Sequence, residues 1–532
     1  QRVRLPYARN TMDRLPLKRQ RHHEASSSPP LKQQRLEPRL VTSPWQLTRI
    51  RDLPDELNRD ALSLGDIIGD ALVRECWQFN FLHDVNFLMN AFDQDIRHAI
   101  DVHIVHGFWK SDDPNRLSLA QEAARFPNVH LHVAPMPEMF GTHHSKMMVL
   151  FRRDDTAQIV IHTANMIAKD WTNMTNAVWR SPLLPKLQHA SAPSGFKADL
   201  LAYLASYNRR GPICKPLADQ LAAYDFSSVK AALVASVPGR HDTRSETLWG
   251  WAALEKRLTS VPCRAGDSEV VVQISSIATL GPRDDWLQKT LFDSLARCKA
   301  PCHGQPRCRF KVVFPTADEI RQSLDGYASG GSIHTKTQSR QQASQLDYLR
   351  PILHHWANDS RHGRGRPTAR LVRSPAMADG MTELPAGSDS LNSGRSRAAP
   401  HVKTYMRFSE DKSIDWALLT SANLSKQAWG EARKPTGEMR IASWEIGVLV
   451  WPELYGEDGI MVGAFGSDKP DVEAIAAAGA KNGAVVGVRM PYSVPLQRYG
   501  EDEMPWVATM NHTEPDCWGR VWEGGVPLIR GV

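Results

Sequence analysis

Apolar positions fall into short runs of strand length separated by polar turns. VVVQISSI at 270–277, KVVF at 311–314 and WEIGVLVW at 444–451 are continuous or alternating apolar runs and predict strands. FKADLLAYLASY at 196–207 places its apolar residues at helical spacing and predicts a helix. LSLGDIIGDALVREC, starting at Leu62, reads the same way and is taken as the start of the folded chain. Three segments lack such patterning. Residues 1–61 are expected to be a disordered tail, 359–400 a long Arg/Gly/Ser/Pro-rich surface loop, and 455–487 a Gly/Ala-rich insertion. Mixed strands and helices on both sides of 359–400 predict an α/β fold in two halves.

The polar residues that interrupt these runs repeat. HHSKMMVLF contains His144 and Lys146, and HVKTYMRF contains His401 and Lys403. Each is followed by a strand-like run ending in small residues and Asn: QIVIHTAN at Asn165 and DWALLTSAN at Asn423. Lys to Asn is 165 − 146 = 19 residues in one copy and 423 − 403 = 20 in the other. In an extended segment, residues two apart share a face, so His-x-Lys presents an imidazole beside an ammonium. A paired second strand would bring the Asn amide alongside. Two such sets facing one another would surround an anion with two histidines, two lysines and two amides. That is a phosphodiester site in which one His attacks phosphorus, the other protonates the leaving oxygen, and Lys and Asn stabilise the non-bridging oxygens. His334-Thr335-Lys336 also matches His-x-Lys, but no strand ending in Asn follows it, and it is set aside as an irrelevant match.

Charge changes the picture only at the N-terminus. Residues 1–50 hold eleven Lys/Arg against three Asp/Glu, a net of +8, so the rest of the chain sums to 7 − 8 = −1. The cluster Lys18-Arg19-Gln20-Arg21 predicts nuclear localisation. No run approaches the ~18–20 apolar residues of a membrane span, and the opening QRVRLPYARN has no secretory apolar core. Seven cysteines in 532 residues do not make a disulfide framework. Cys298, Cys302, His303 and Cys308 lack the usual zinc spacing, so no metal is expected. Without GxxxxGK[ST], GxGxxG or HExxH, nucleotide-hydrolysing, dinucleotide-dependent and zinc-protease chemistry have no support.

Paired His-x-Lys motifs resemble those of the phospholipase D superfamily. Its usual Asp five positions after Lys is replaced by Phe151 and Phe408, which resembles the tyrosyl-DNA phosphodiesterase branch. MFGTHHSKMM, FKADLLAYLASYN, SSIATLG, TSANLSKQAWG, WEIGVLVWP and VPLQRYGEDEMPW are also similar to that family. The resemblance implies two phospholipase D-like α-β-α halves, 62–260 and 261–532, related by a pseudo-two-fold with the active site at their interface. It implies a DNA-repair enzyme without cofactor that hydrolyses the 3′-phosphotyrosyl bond left by a stalled type I topoisomerase. His144 would be the nucleophile and His401 the acid, then the base, with Lys146, Lys403, Asn165 and Asn423 on the phosphate oxygens. Glu445 matches the carboxylate supporting the nucleophile. Asn176 stands where the family has Gln supporting the other His. Phe140 matches a base-stacking aromatic, Ser276 and Thr279 match DNA-backbone hydroxyls, and Trp506 is placed near the peptide side. The implied partners are single-stranded or duplex DNA 3′ ends and a tyrosyl peptide. No membrane is implied, and a monomer is expected. Two alternatives stay open: another phospholipase D-type phosphodiesterase or nuclease, and a non-catalytic DNA-end-binding protein of the same fold.

Overall fold

The computed structural model describes residues 38–524 apart from 190–191, 194, 210, 300–306, 359–390 and 478–482. The basic cluster at 18–21, Cys302 and His303 lie outside these residues.

Two mixed sheets organise the chain, and they repeat one topology. In the first, Val73–Phe79 pairs antiparallel with Met147–Arg152, which pairs with Thr156–His162, which pairs with Ala177–Arg180. On its other side Val73–Phe79 runs parallel to Asp101–His106, and that strand runs parallel to Val129–Val133. In the second sheet, Ser268–Gln273 pairs antiparallel with Thr404–Phe408, which pairs with Ile414–Thr420, which pairs with Glu445–Val450. Ser268–Gln273 in turn runs parallel to Cys308–Val313, and that strand runs parallel to Leu353–His354.

The central strands are apolar on both faces because both are covered. Met147, Val149 and Phe151 enter one apolar cluster with Tyr203, Tyr207 and Trp444. Met148 and Leu150, pointing the opposite way, enter a second with Val85, Leu88 and Leu119. The first cluster runs on into the second sheet, with the Trp444 and Tyr207 rings stacked 3.8 Å apart. One apolar body therefore fixes the two halves against each other.

Several sequence boundaries shift. The segment from Leu62 is not one helix: a short helical turn, Gly65–Ile68, gives way to the strand Val73–Phe79. Folded chain begins well before Leu62, since Trp45–Leu47 joins the first sheet and Trp45 is fully buried. Arg39–Val41 and Ala232–Ser236 both join the second sheet, so that half draws strands from before residue 260. The 455–487 segment contributes two sheet strands, Ile460–Ala464 and the start of Ala484–Arg489, where Gly and Ala sit in tightly packed backbone. At the end of 359–400, Ser393, Arg395, Ala398 and Ala399 are buried, not surface loop. The predicted strands and the 196–207 helix are present, the last as Gly195–Ser206.

Candidate active site

Each His-x-Lys segment leads into a central strand of its own sheet, and each is docked on the other half. The His144 amide donates to the Trp444 carbonyl at 3.0 Å, and the Trp444 amide donates to Thr142 at 2.9 Å. In the mirror position the His401 amide donates to the Thr175 carbonyl at 2.9 Å, and the Thr175 amide donates to Ala399 at 2.9 Å. The residue after each docking point supports the histidine. Glu445 follows Trp444, and its Oε2 accepts from His144 Nδ1 at 3.0 Å. Asn176 follows Thr175, and its Oδ1 accepts from His401 Nδ1 at 3.2 Å. Because all these partners are acceptors, both rings carry the proton on Nδ1 and turn Nε2 toward the crevice.

The hydroxyl two residues before each Asn completes the frame. Ser421 donates to Glu445 at 2.5 Å, and Thr163 donates to Asn176 at 2.8 Å. Lys146 Nζ reaches back to the His144 carbonyl at 3.2 Å, and Lys403 does the same to His401. Asn423 Oδ1 accepts from the Ser275 and Ser276 amides at 3.1 and 2.9 Å, which leaves its NH₂ to donate. Asn165 Oδ1 is buried without a partner among the described residues.

One member is without a counterpart. Asp170, fully buried on the short helix Ala168–Thr172, places Oδ2 3.2 Å from His401 Nδ1. The same oxygen accepts from the Asn165 amide at 2.8 Å, and Oδ1 accepts from Ser332 at 3.1 Å. His401 thus has a carboxylate partner that the sequence reading missed. The signal lay in the repeat: at the same offset from Asn165 and Asn423, TANMIAKDW has Asp170 where SANLSKQAW has Ala428.

Burial and mutual repulsion lower the proton affinity of the cations. Lys146 is pushed down to about 8, mainly by burial, with Glu445 and Asp170 opposing. Burial and the neighbouring Lys146 push Lys403 well down. His144 is lowered by burial against the pull of Glu445, and His401 is lowered further, by burial and then Lys403 and Lys146. Both imidazoles are therefore neutral near pH 7.

The outer residues separate into three cases. Phe140 is 77% exposed on the loop before His144, free to meet a ligand. Ser276 and Thr279 line a concavity beside Asn423 together with His334 and Lys336. His334, set aside on sequence grounds, is placed in the crevice wall by a bridge pairing it with Ser276. Trp506 is the correction: it is fully buried and cannot touch a substrate. Its indole N–H donates to the Gly330 and Ile333 carbonyls at 2.9 and 3.1 Å, so it props the segment leading to His334 from behind. Gly330 is required there, since a Cβ would meet the indole at 2.3 Å. Among the described residues no group of three or more His, Cys, Asp or Glu side chains could hold a metal ion.

Two like sheets contributing one His, Lys and Asn each to a shared anion-binding crevice define a phospholipase D-type phosphodiesterase. Comparison with known proteins narrows this. A family model described as tyrosyl-DNA phosphodiesterase matches residues 44–500. The probable tyrosyl-DNA phosphodiesterase of Schizosaccharomyces pombe is 30% identical, over 95% of this chain and 98% of its own. Tyrosyl-DNA phosphodiesterase 1 of Drosophila melanogaster is 30% identical, over 87% and 73%. The crystal structure of the yeast tyrosyl-DNA phosphodiesterase superposes with a TM-score of 0.60 at 20% identity, covering 88% of this chain and 99% of that one. The chain belongs to the tyrosyl-DNA phosphodiesterase family and is a DNA-repair phosphodiesterase.

Proposed function

We propose that the chain hydrolyses the bond joining a DNA 3′ phosphate to the tyrosine of a stalled type I topoisomerase, through a phosphohistidine on His144. The observation that carries this is the pair of Nδ1-anchored histidines with Nε2 free, flanked by two buried lysines. Neutral His144 attacks phosphorus through Nε2, the bond from phosphorus to the tyrosyl oxygen breaks, and His401 gives its Nε2 proton to the departing phenolate. His401, now neutral, takes a proton from water, whose oxygen attacks phosphorus. The P–N bond breaks, His144 is restored, and a 3′ phosphate leaves. Reusing His401 is consistent because step one leaves it in the form that step two needs. Lys146, Lys403, Asn165 and Asn423 hold the non-bridging oxygens; the ammoniums supply positive charge that a metal would otherwise provide.

The lowered proton affinity of His401 fits this scheme only if substrate reverses it. A phosphodiester anion between the lysines offsets their repulsion, and Asp170 then stabilises the imidazolium. Exposed Phe140 suits stacking on a base of any identity, which fits a repair enzyme acting on single-stranded or duplex ends. The basic tail suits nuclear targeting, and a monomer suffices because one chain supplies both triads. The test is incubation with a single-stranded oligonucleotide bearing 3′ phosphotyrosine, in EDTA. Release of tyrosine with a 3′-phosphate product is expected; binding without conversion would favour an end-binding protein instead.

A further inference from the structure

His334 and Lys336 remain outside the mechanism, yet the fold fixes them in its crevice. The His334 amide donates to the Ser275 carbonyl at 2.9 Å, and the Ile277 amide donates to the His334 carbonyl at 2.9 Å. This short bridge sets His334 beside Ser276, whose own amide is held by Asn423. From behind, Trp506 holds Gly330 and Ile333, and Ser332 is tied to Asp170. Neither the His334 ring nor the Lys336 ammonium has a hydrogen-bond or ion-pair partner among the described residues. Both are exposed to the crevice, and they share a concavity with Ser276, Thr279 and Gln342.

The titratable groups that act on His334 are basic, while Asp170 is engaged by Ser332, Asn165 and His401. Lys169 on the Ala168–Thr172 helix, Lys403 and His144 from the two His-x-Lys segments, and neighbouring Lys336 all act on His334. Desolvation against the crevice wall, followed by these neighbours, pushes its imidazole down to about 4, so it is neutral near pH 7. A fixed, unpartnered imidazole beside the unpartnered Lys336 ammonium offers a seat for a second anion.

Resting on the activity proposed above, we propose that His334 and Lys336, with Ser276 and Thr279, seat a backbone phosphate upstream of the scissile one, and that His334 takes up a proton when that phosphate arrives. The seat reads no base, because its groups address only phosphate oxygens. It makes strand affinity rise as pH falls: a phosphate raises the His334 proton affinity, so acid favours the bound state.

The test uses the full chain and two substrates with the same aryl phosphate leaving group. One is a thymidine 3′-aryl phosphate, which has no upstream phosphate; the other is an oligonucleotide 3′-aryl phosphate. The readout is the ratio of their kcat/KM values, which cancels effects common to the reacting centre. The wild-type ratio should favour the oligonucleotide and rise from pH 8 to pH 6. In His334→Gln the ratio should fall about tenfold, through KM, and lose this pH dependence. In Lys336→Gln the ratio should fall and the salt dependence of oligonucleotide KM should weaken by about 0.7 in log–log slope. A wild-type ratio in both variants, or equal losses on both substrates, would overturn the phosphate seat. Absence of turnover of either substrate by the wild-type chain would instead overturn the activity, and this inference with it.

Discussion

His144 and His401 occupy equivalent frames, each docked on the opposite half and each tied through Nδ1, but the two frames carry different chemistry. Beside His144 the supporting carboxylate, Glu445, sits in the strand position equivalent to Asn176, and Ser421 steadies it. Beside His401 that position is the neutral Asn176, steadied by Thr163, and the carboxylate comes from a helix as Asp170. A duplicated fold guarantees two like histidines. The partners then make them unlike: in the proposed mechanism one ring stays neutral for attack, and the other sits between two lysines and a carboxylate, where a bound anion favours its protonation.

The largest expected break in the comparison comes from removing each ring. His144→Ala should abolish turnover with no covalent adduct. His401→Ala should retain the first step for good leaving groups while adduct hydrolysis slows by about 10²–10⁴-fold, the range for a lost general acid–base; single-turnover kinetics distinguish the two.

Neutralising the carboxylates should sharpen the difference through pH profiles. Glu445 raises the proton affinity of His144, so Glu445→Gln should lower it. The acid limb of kcat/KM, which needs a neutral nucleophile, should move to lower pH by roughly one unit. Asp170→Asn should act on the other limb. With less stabilisation of protonated His401, the alkaline limb should also move to lower pH by roughly one unit. Asn176→Asp would add a carboxylate on that side and should move the alkaline limb upward. If Glu445→Gln and Asp170→Asn displaced the same limb, the division of roles would be wrong.

A smaller effect is expected on stability. Lys403 is buried beside Lys146, and its proton affinity is lowered relative to the unfolded chain. Its charged form therefore destabilises the fold below the folded-state value, and this penalty is relieved as pH rises toward the ordinary Lys range. Lys403→Met should be more stable by about 1–4 kcal/mol at pH 7, the range seen when buried charges give way to apolar groups. The advantage should shrink toward pH 10, as measured by denaturant titration.

The sequence revealed the site better than its surroundings. Strand periodicity placed His144, Lys146 and Asn165, with their counterparts, because the repeat recurs in both halves at nearly the same spacing. Glu445 and Asn176 were found through the family resemblance alone, since neither takes part in the internal His-Lys-Asn repeat. Asp170 was missed because the repeat marks it only as a difference from Ala428, and its contact with His401 depends on a short helix reaching across the halves. Trp506 was misplaced because nearness in sequence to a functional segment does not say which face an indole takes; here it faces inward. His334 was dismissed for lacking a following strand and Asn, a sound argument against a third triad but no argument against a place in the crevice wall. The strands Arg39–Val41 and Trp45–Leu47 were hidden by their shortness next to a basic tail.

The most direct measurement is the location of the covalent intermediate. Full-length His401→Ala would be mixed with a 3′-phosphotyrosyl oligonucleotide, quenched at alkaline pH to preserve P–N bonds, digested and mapped by mass spectrometry. The account predicts a nucleotide mass on the peptide carrying His144 and none when His144 is also replaced. An adduct on any other residue, or turnover by the double variant, would contradict it.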